Sequence, residues 1–192
     1  LTSDYATALA CAHTGVAQAA QAGDPVLEAQ GYALIGQALR HQGHHAQAQT
    51  WLQQALALAQ RLGDRGLIAQ ASYLAGLNQY SWDHDDSARQ YLEQAQDFYR
   101  ELKSGTGETN CLLLLGTMQT RRGNYGRAIT YLEQALEICR QLGWRAREAI
   151  ILSDLGNTFA DAGDYSAAQA CHQRNLDIAG QIGDRESQAA SL

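Results

Sequence analysis

Two kinds of segment alternate along the chain. Around residues 27–42 apolar residues recur at spacings of three and four and stop just before Gly43; over residues 45–62 the same spacing places Ala48, Leu52, Ala55, Leu58 and Leu62 on one face. This is the pattern of an amphipathic helix with one buried stripe. The pair then recurs. Ile35-Gly36, Ala75-Gly76, Leu115-Gly116 and Leu155-Gly156 stand 40 residues apart, as do Ala48, Ala88, Ala128 and Ala168. Further columns keep the register: Gly43, Asp83, Gly123 and Gly163; Leu62, Leu102, Leu142 and Ile182; Trp51, Tyr91 and Tyr131. Ala8 falls in the column of Ala48, and Gly23-Asp24 in that of Gly63-Asp64 and Gly183-Asp184.

The punctuation predicts paired antiparallel helices. Glycine supplies a positive φ where the first helix stops, and Gly-Asp at the second turn ends one helix and caps the next. Pro25 follows Asp24 at a first helical position, where its missing N–H is harmless. The Gly36 column lies inside a helix, where glycine costs about 1 kcal/mol relative to alanine, so a close approach by a neighbouring helix is expected to compensate. The organisation read from this is one all-α domain over 1–192: a leading half repeat (1–24), repeats at about 25–64, 65–104, 105–144 and 145–184, and the start of a further helix at 185–192. Because Gln188 to Leu192 stop short of the next Leu-Gly, the chain reads as a piece of a longer repeat protein.

Leu115-Gly116, Gly123-Asn124-Tyr125, Ala128 and Tyr131-Leu132-Glu133-Gln134-Ala135-Leu136 resemble the tetratricopeptide repeat pattern, which Leu155-Gly156-Asn157, Gly163-Asp164-Tyr165 and Ala168 repeat. The period is similar to that of the long-helix variety in spindle-orientation adaptors and bacterial regulatory proteins. The resemblance implies a right-handed α-α superhelical solenoid whose concave surface, lined by the first helix of each pair, binds a partner peptide or helix. Carried over position by position, it implies groove residues Gln37, Arg40 and His41; Tyr73, Leu77, Tyr80 and Ser81; Leu113, Thr117, Thr120 and Arg121; and Asp154, Asn157 and Asp161. Tyr and Leu there offer apolar contact, while Arg, Asn, Gln and Asp can bond a backbone or a charged side chain.

Composition narrows the function. With 192 residues and 45% hydrophobic content nothing points to disorder, and one proline and two phenylalanines fit helices rather than a β-sandwich. A net charge of −6 argues against nucleic acid as a ligand, since phosphate affinity comes from clustered Lys and Arg. No apolar run is long enough for a membrane span and no leader is evident, so a cytoplasmic setting is the expectation. Cys11, Cys111, Cys139 and Cys171 lack paired metal spacings and share columns with apolar residues, which makes them expected core spacers.

Chemistry-bearing clusters receive plain readings. His41, His44 and His45 flank the Gly43 turn without the third convergent ligand that zinc requires, and Asp83 to Asp86 lacks the ligand alternation of a calcium loop. Trp82 is expected to pack on its own helices. No phosphate loop or nucleophile elbow occurs, and Ser104-Gly105-Thr106-Gly107 reads as an interhelix loop. The expectation is therefore no enzyme, no metal and no cofactor, but a scaffold for a protein or peptide partner. The alternative is a self-associating or intramolecular regulatory arm, with a homo-oligomer as its consequence.

Overall fold

The computed structural model describes residues 2–190, with side chains placed for Thr7 and residues 9–183. Within them the chain is all-helical: α1 (Thr2–Ala22), α2 (Pro25–His41), α3 (His45–Leu62), α4 (Arg65–Ser81), α5 (Asp85–Glu101), α6 (Gly105–Arg121), α7 (Tyr125–Gln141), α8 (Arg145–Asp161) and α9 (Tyr165–Ala190). These helices fall into two compact units, one ending at Ser104 and the other starting at Gly105. In the first unit α1 packs on α2, α2 on α3, α3 on α4 and α4 on α5, and α2 also touches α4. In the second, α6 packs on α7, α7 on α8 and α8 on α9, with α6 touching α8. This is the packing of a helical-repeat solenoid of paired helices.

The turns explain the regularity. Gly23, Gly43, Gly63, Gly123, Gly143 and Gly163 all take positive φ, as do Asp83 at 58° and Lys103 at 54°. The following residue then bonds back across the helix end, as in His44 N–H to the Leu39 carbonyl (2.9 Å), Ser104 to Tyr99 (2.8 Å) and Trp144 to Cys139 (2.9 Å). This closure satisfies carbonyls that the helix end leaves open. Asp24 and Asp64 accept bonds from the backbone N–H groups of Leu27 and Leu67, the capping expected of Gly-Asp at the second turn, and Asp164 at a first turn accepts likewise from Ala167.

The expected close approach is also present. A methyl group on Gly36 would stand 2.5 Å from Leu52 Cγ, on Gly76 2.8 Å from Leu92 Cγ, and on Gly116 2.9 Å from Leu132 Cγ; on Gly156 it would meet the His172 ring at 2.6 Å. At Gly36, Gly76 and Gly116 the facing leucine and the carbonyl of Ala48, Ala88 or Ala128 thus lie against the glycine backbone, with that alanine column buried beside them. The first unit's core runs through Ile35, Leu52, Ala55, Leu74 and Ala75, and the second's through Leu112, Leu132, Leu136, Ile151, Leu155 and Ile178.

Two boundaries and one column depart from expectation. Ser104 to Gly107 is not a loop: α6 begins at Gly105, and Gly107 is buried in its first turn. The break expected at Gly183-Asp184 is absent, because α9 continues to Ala190. A helical glycine costs only about 1 kcal/mol, which is insufficient by itself to interrupt the hydrogen-bond ladder. The separate helix expected over 185–192 therefore has no start of its own within α9. The side chains of Ala8, Asp184 and Gln188, together with Ser191 and Leu192, lie outside the described residues. Finally, Leu62, Leu102 and Leu142 are 38%, 44% and 49% exposed, since they close the ends of their helices rather than sit within the buried stripe.

Two substitutions test this account by urea-induced loss of helicity. Lys103→Gly relieves a strained turn and is expected to raise stability by about 0.5–1 kcal/mol. Gly76→Ala is expected to lower it by about 1–2 kcal/mol despite alanine's better helix propensity, because the added methyl overlaps Leu92.

Candidate interaction surfaces

In the first unit, Gln37 and His41 border a cavity of about 800 Å3 between α1 and α2. Its walls are apolar, and Leu27 and Leu34, 54% and 56% exposed, project along it. The small residues Gly15, Ala19 and Gly31 leave the space open. Arg40 Nη2 lies 2.9 Å from His41 Nε2. Burial and the adjacent Arg40 charge both lower the His41 pKa, which favours the neutral ring that can accept a hydrogen bond from the guanidinium. Tyr73, Leu77 and Tyr80 are half-buried on α4 and do not line this cavity, Tyr73 packing instead on the cluster around Leu52 and Ala75. Ser81 is exposed and donates to the Leu77 carbonyl at 2.9 Å.

Beneath that surface lies a polar link which sequence reasoning missed. Asn78 is fully buried; its amide donates to the His45 carbonyl and to Gln49 Oε1, both at 3.0 Å, and its oxygen lies 3.1 Å from His45 Nδ1. Gln49 in turn donates to the Tyr91 hydroxyl at 3.3 Å, tying α3 to α4 and α5. The signal was a side-chain amide in the column otherwise held by Ala38, Met118 and Thr158. His45 is thus a structural bond rather than only a turn residue. Trp82 remains 38% exposed and its ring lies tilted against His84 with ring centres 4.5 Å apart, so its packing is partial.

In the second unit, Thr117 and Arg121 of α6 and Asn157 of α8 border one cavity of about 270 Å3, together with Thr120, Asp154 and Thr158. The Thr120 and Thr158 hydroxyls are 3.0 Å apart, and Thr158 also donates to the Asp154 carbonyl at 2.8 Å, so a threonine pair fixes the cavity floor. Burial raises the Asp154 pKa. Leu113 is half-buried and does not line this cavity. Asp161 is exposed at the end of α8 and is not among the cavity's lining residues.

On the other side of α8 the Glu148 carboxylate is 1% exposed. It accepts from Arg140 Nε at 3.1 Å and Arg145 Nη1 at 2.9 Å, with Arg174 Nη2 3.7 Å away. A buried carboxylate requires such partners. The cysteines divide. Cys111 and Cys139 are core residues as expected, but Cys11 is exposed and Cys171 only half-buried, because their helices present those columns to open space. Burial pushes the Cys111 thiol up to about 12. Among the described residues no group of three His, Cys, Asp or Glu side chains converges on a metal position, and no helix is long and apolar enough to cross a membrane.

Paired helices closed by glycine turns, with backbone contact at a repeating glycine, define a helical-repeat protein. The tetratricopeptide repeat family model matches residues 27–101 and 108–181, and the chain belongs to that family. No curated protein matches it in sequence comparison. Among solved structures it is similar to tetratricopeptide-like repeats of a putative kinesin light chain from Podosopora anserina: 14% identity, TM-score 0.79, covering 95% of this chain and 90% of that one. It also resembles a signal-transduction ATPase with a tetratricopeptide repeat sensor from Pyrococcus horikoshii (16% identity, TM-score 0.77, 85% of this chain and 26% of that one). A third neighbour is NprR in complex with its cognate peptide NprX (20% identity, TM-score 0.59, 80% of this chain and 45% of that one). The chain therefore spans less than half of the latter two. The tetratricopeptide fold is a non-catalytic protein-interaction scaffold, and family membership supports a protein-interaction role here.

Two measurements probe the interior. Asn78→Ala leaves the Gln49 amide and the His45 carbonyl without their partner and is expected to cost about 2 kcal/mol in chemical unfolding. Cys111 holds its proton in the fold between its ordinary 9.0 and about 12, so its contribution is intact below pH 9 and lost as pH rises toward 12. Iodoacetamide at pH 9 should alkylate Cys11 and spare Cys111, and Cys111→Ala should flatten the alkaline loss of stability.

Proposed function

We propose that the protein holds a peptide or helix of a partner protein on the first helices of the pairs within its units, without catalysing a reaction. The reading rests first on the cavity bordered by Thr117, Arg121 and Asn157, where a guanidinium, an amide and a hydroxyl converge beside the Asp154 carboxyl. That set suits a peptide backbone flanked by a charged side chain. The apolar cavity of the first unit offers Leu27 and Leu34, seven residues apart, a spacing that matches successive apolar anchors on a partner helix. NprR, whose fold is similar, is known in complex with a cognate peptide.

The second reading is a regulatory arm acting on its own chain or on another copy. It is favoured by the likeness to a signalling ATPase in which such repeats serve as a sensor, and by Leu176, 66% exposed on α9. Light scattering over a wide concentration range separates the two: a constant monomer mass supports an external ligand, and a reversible dimer supports self-association.

For a peptide selected from a displayed random library, Arg121→Ala and Tyr80→Ala should each weaken binding about tenfold, the effect of losing an interface arginine or tyrosine. Circular dichroism should remain unchanged. Parallel loss of binding and helicity would defeat the site assignment.

A further inference from the structure

Along the 40-residue repeat, the position of Cys171 is held by Trp51, Tyr91 and Tyr131 in the three preceding repeats and by Cys11 in the leading half repeat. In the first unit that ring is a wedge between helices. Trp51 packs against the cluster of Ile35, Leu39 and Ala48, as do Leu9, Ala12 and Val16 of α1, and its ring lies 5.3 Å from His13 and 5.4 Å from Tyr32. Tyr91 packs among Leu52, Ala55, Leu74 and Ala75, and its hydroxyl accepts a bond from Gln49. The half-buried thiol of Cys171 is too short to fill the same space. Beside it, α7, α8 and α9 leave a cavity of about 380 Å3 walled by Leu136, Leu152, Leu155 and Phe159. Its size lies within the range of roughly 300–1,000 Å3 typical of ligand pockets.

The cavity mouth is polar and fixed. Arg140 and Arg174 border it and are held by the buried Glu148 carboxylate, at 3.1 Å and 3.7 Å respectively. Glu133 and Glu137 also border it, so the lining carries two positive and two negative side chains. Net charge therefore selects nothing here, whereas a guanidinium beside an apolar slot favours a π face over an aliphatic chain.

We propose that this cavity receives an aromatic side chain of tyrosine type from a partner protein, in the place that Tyr91 fills within its own unit. A protein partner follows from the chain's scaffold role and from a slot of side-chain size that opens to solvent. The site uses Leu152, Leu155 and Phe159, about 200° around α8 from Asp154 and Asn157. It is thus independent of the surface assigned above, and either can fail alone.

The test is a nitrogen-15 NMR titration of the whole chain with N-acetyl-L-tyrosinamide and, separately, N-acetyl-L-leucinamide. The tyrosine analogue should shift the amides of Leu136, Leu155 and Cys171 and bind about fivefold more tightly than the leucine analogue. Cys171→Tyr, which restores the column, should abolish those shifts; should that variant fail to fold, Cys171→Met fills the slot with a flexible chain and should suppress them. Equal response to leucinamide, no shift at these residues, or shifts that survive in the folded variants would overturn the proposal. A mass that doubles with concentration in the parent chain but not in Cys171→Tyr would assign the slot to a second copy and overturn the assignment to another protein.

Discussion

Helix-to-helix backbone contact at Gly36, Gly76 and Gly116 is the constraint from which the remaining geometry follows. Each glycine lets the facing leucine press to within 2.5 to 2.9 Å of where a Cβ would stand, and each sits opposite a buried alanine on the partner helix. Packing this close gains dispersion contacts and removes apolar surface from water, offsetting the conformational cost of glycine inside a helix. The fourth pair is the exception that shows the rule's tolerance. His172 replaces leucine opposite Gly156, and a flat ring enters the same space.

With the interior committed to that contact, individuality is left to side chains whose columns vary. On α8 the two faces carry different chemistry. Asp154, Asn157 and Thr158 form a polar recess with α6, whereas Leu152, Leu155 and Phe159 floor an apolar slot with α7 and α9. Glu148 joins these levels: buried between three arginines, it holds guanidiniums at the slot's edge while occupying a core position itself. A scaffold of this kind supports recognition through surface variation, and the fold alone specifies no ligand.

Much of the fold was legible in the sequence because its determinants are local and repeated. The turn glycines, the Asp caps and the small-residue columns each act within a few residues or across one helix pair. The clearest exceptions lie where a local signal was overruled: Gly183 does not end α9, and Gly105 and Gly107 begin a helix rather than a loop. The site was less legible. Thr117, Arg121 and Asn157 border a common cavity, but Tyr73, Leu77 and Tyr80 do not line the cavity that Gln37 and His41 border. Whether a gap opens depends on side-chain volumes contributed by three helices together, as at Cys171, and no single column reports that sum. Asn78 shows the converse, a polar column departure whose meaning became clear only with His45 and Gln49 around it.

Under the proposed function, the first helices of the pairs within each unit carry the binding residues. Hydrogen exchange of the chain with and without a library-selected peptide measures this directly. The account predicts slowed exchange concentrated in α2, α4, α6 and α8; slowing confined to α3, α5, α7 and α9 would contradict it.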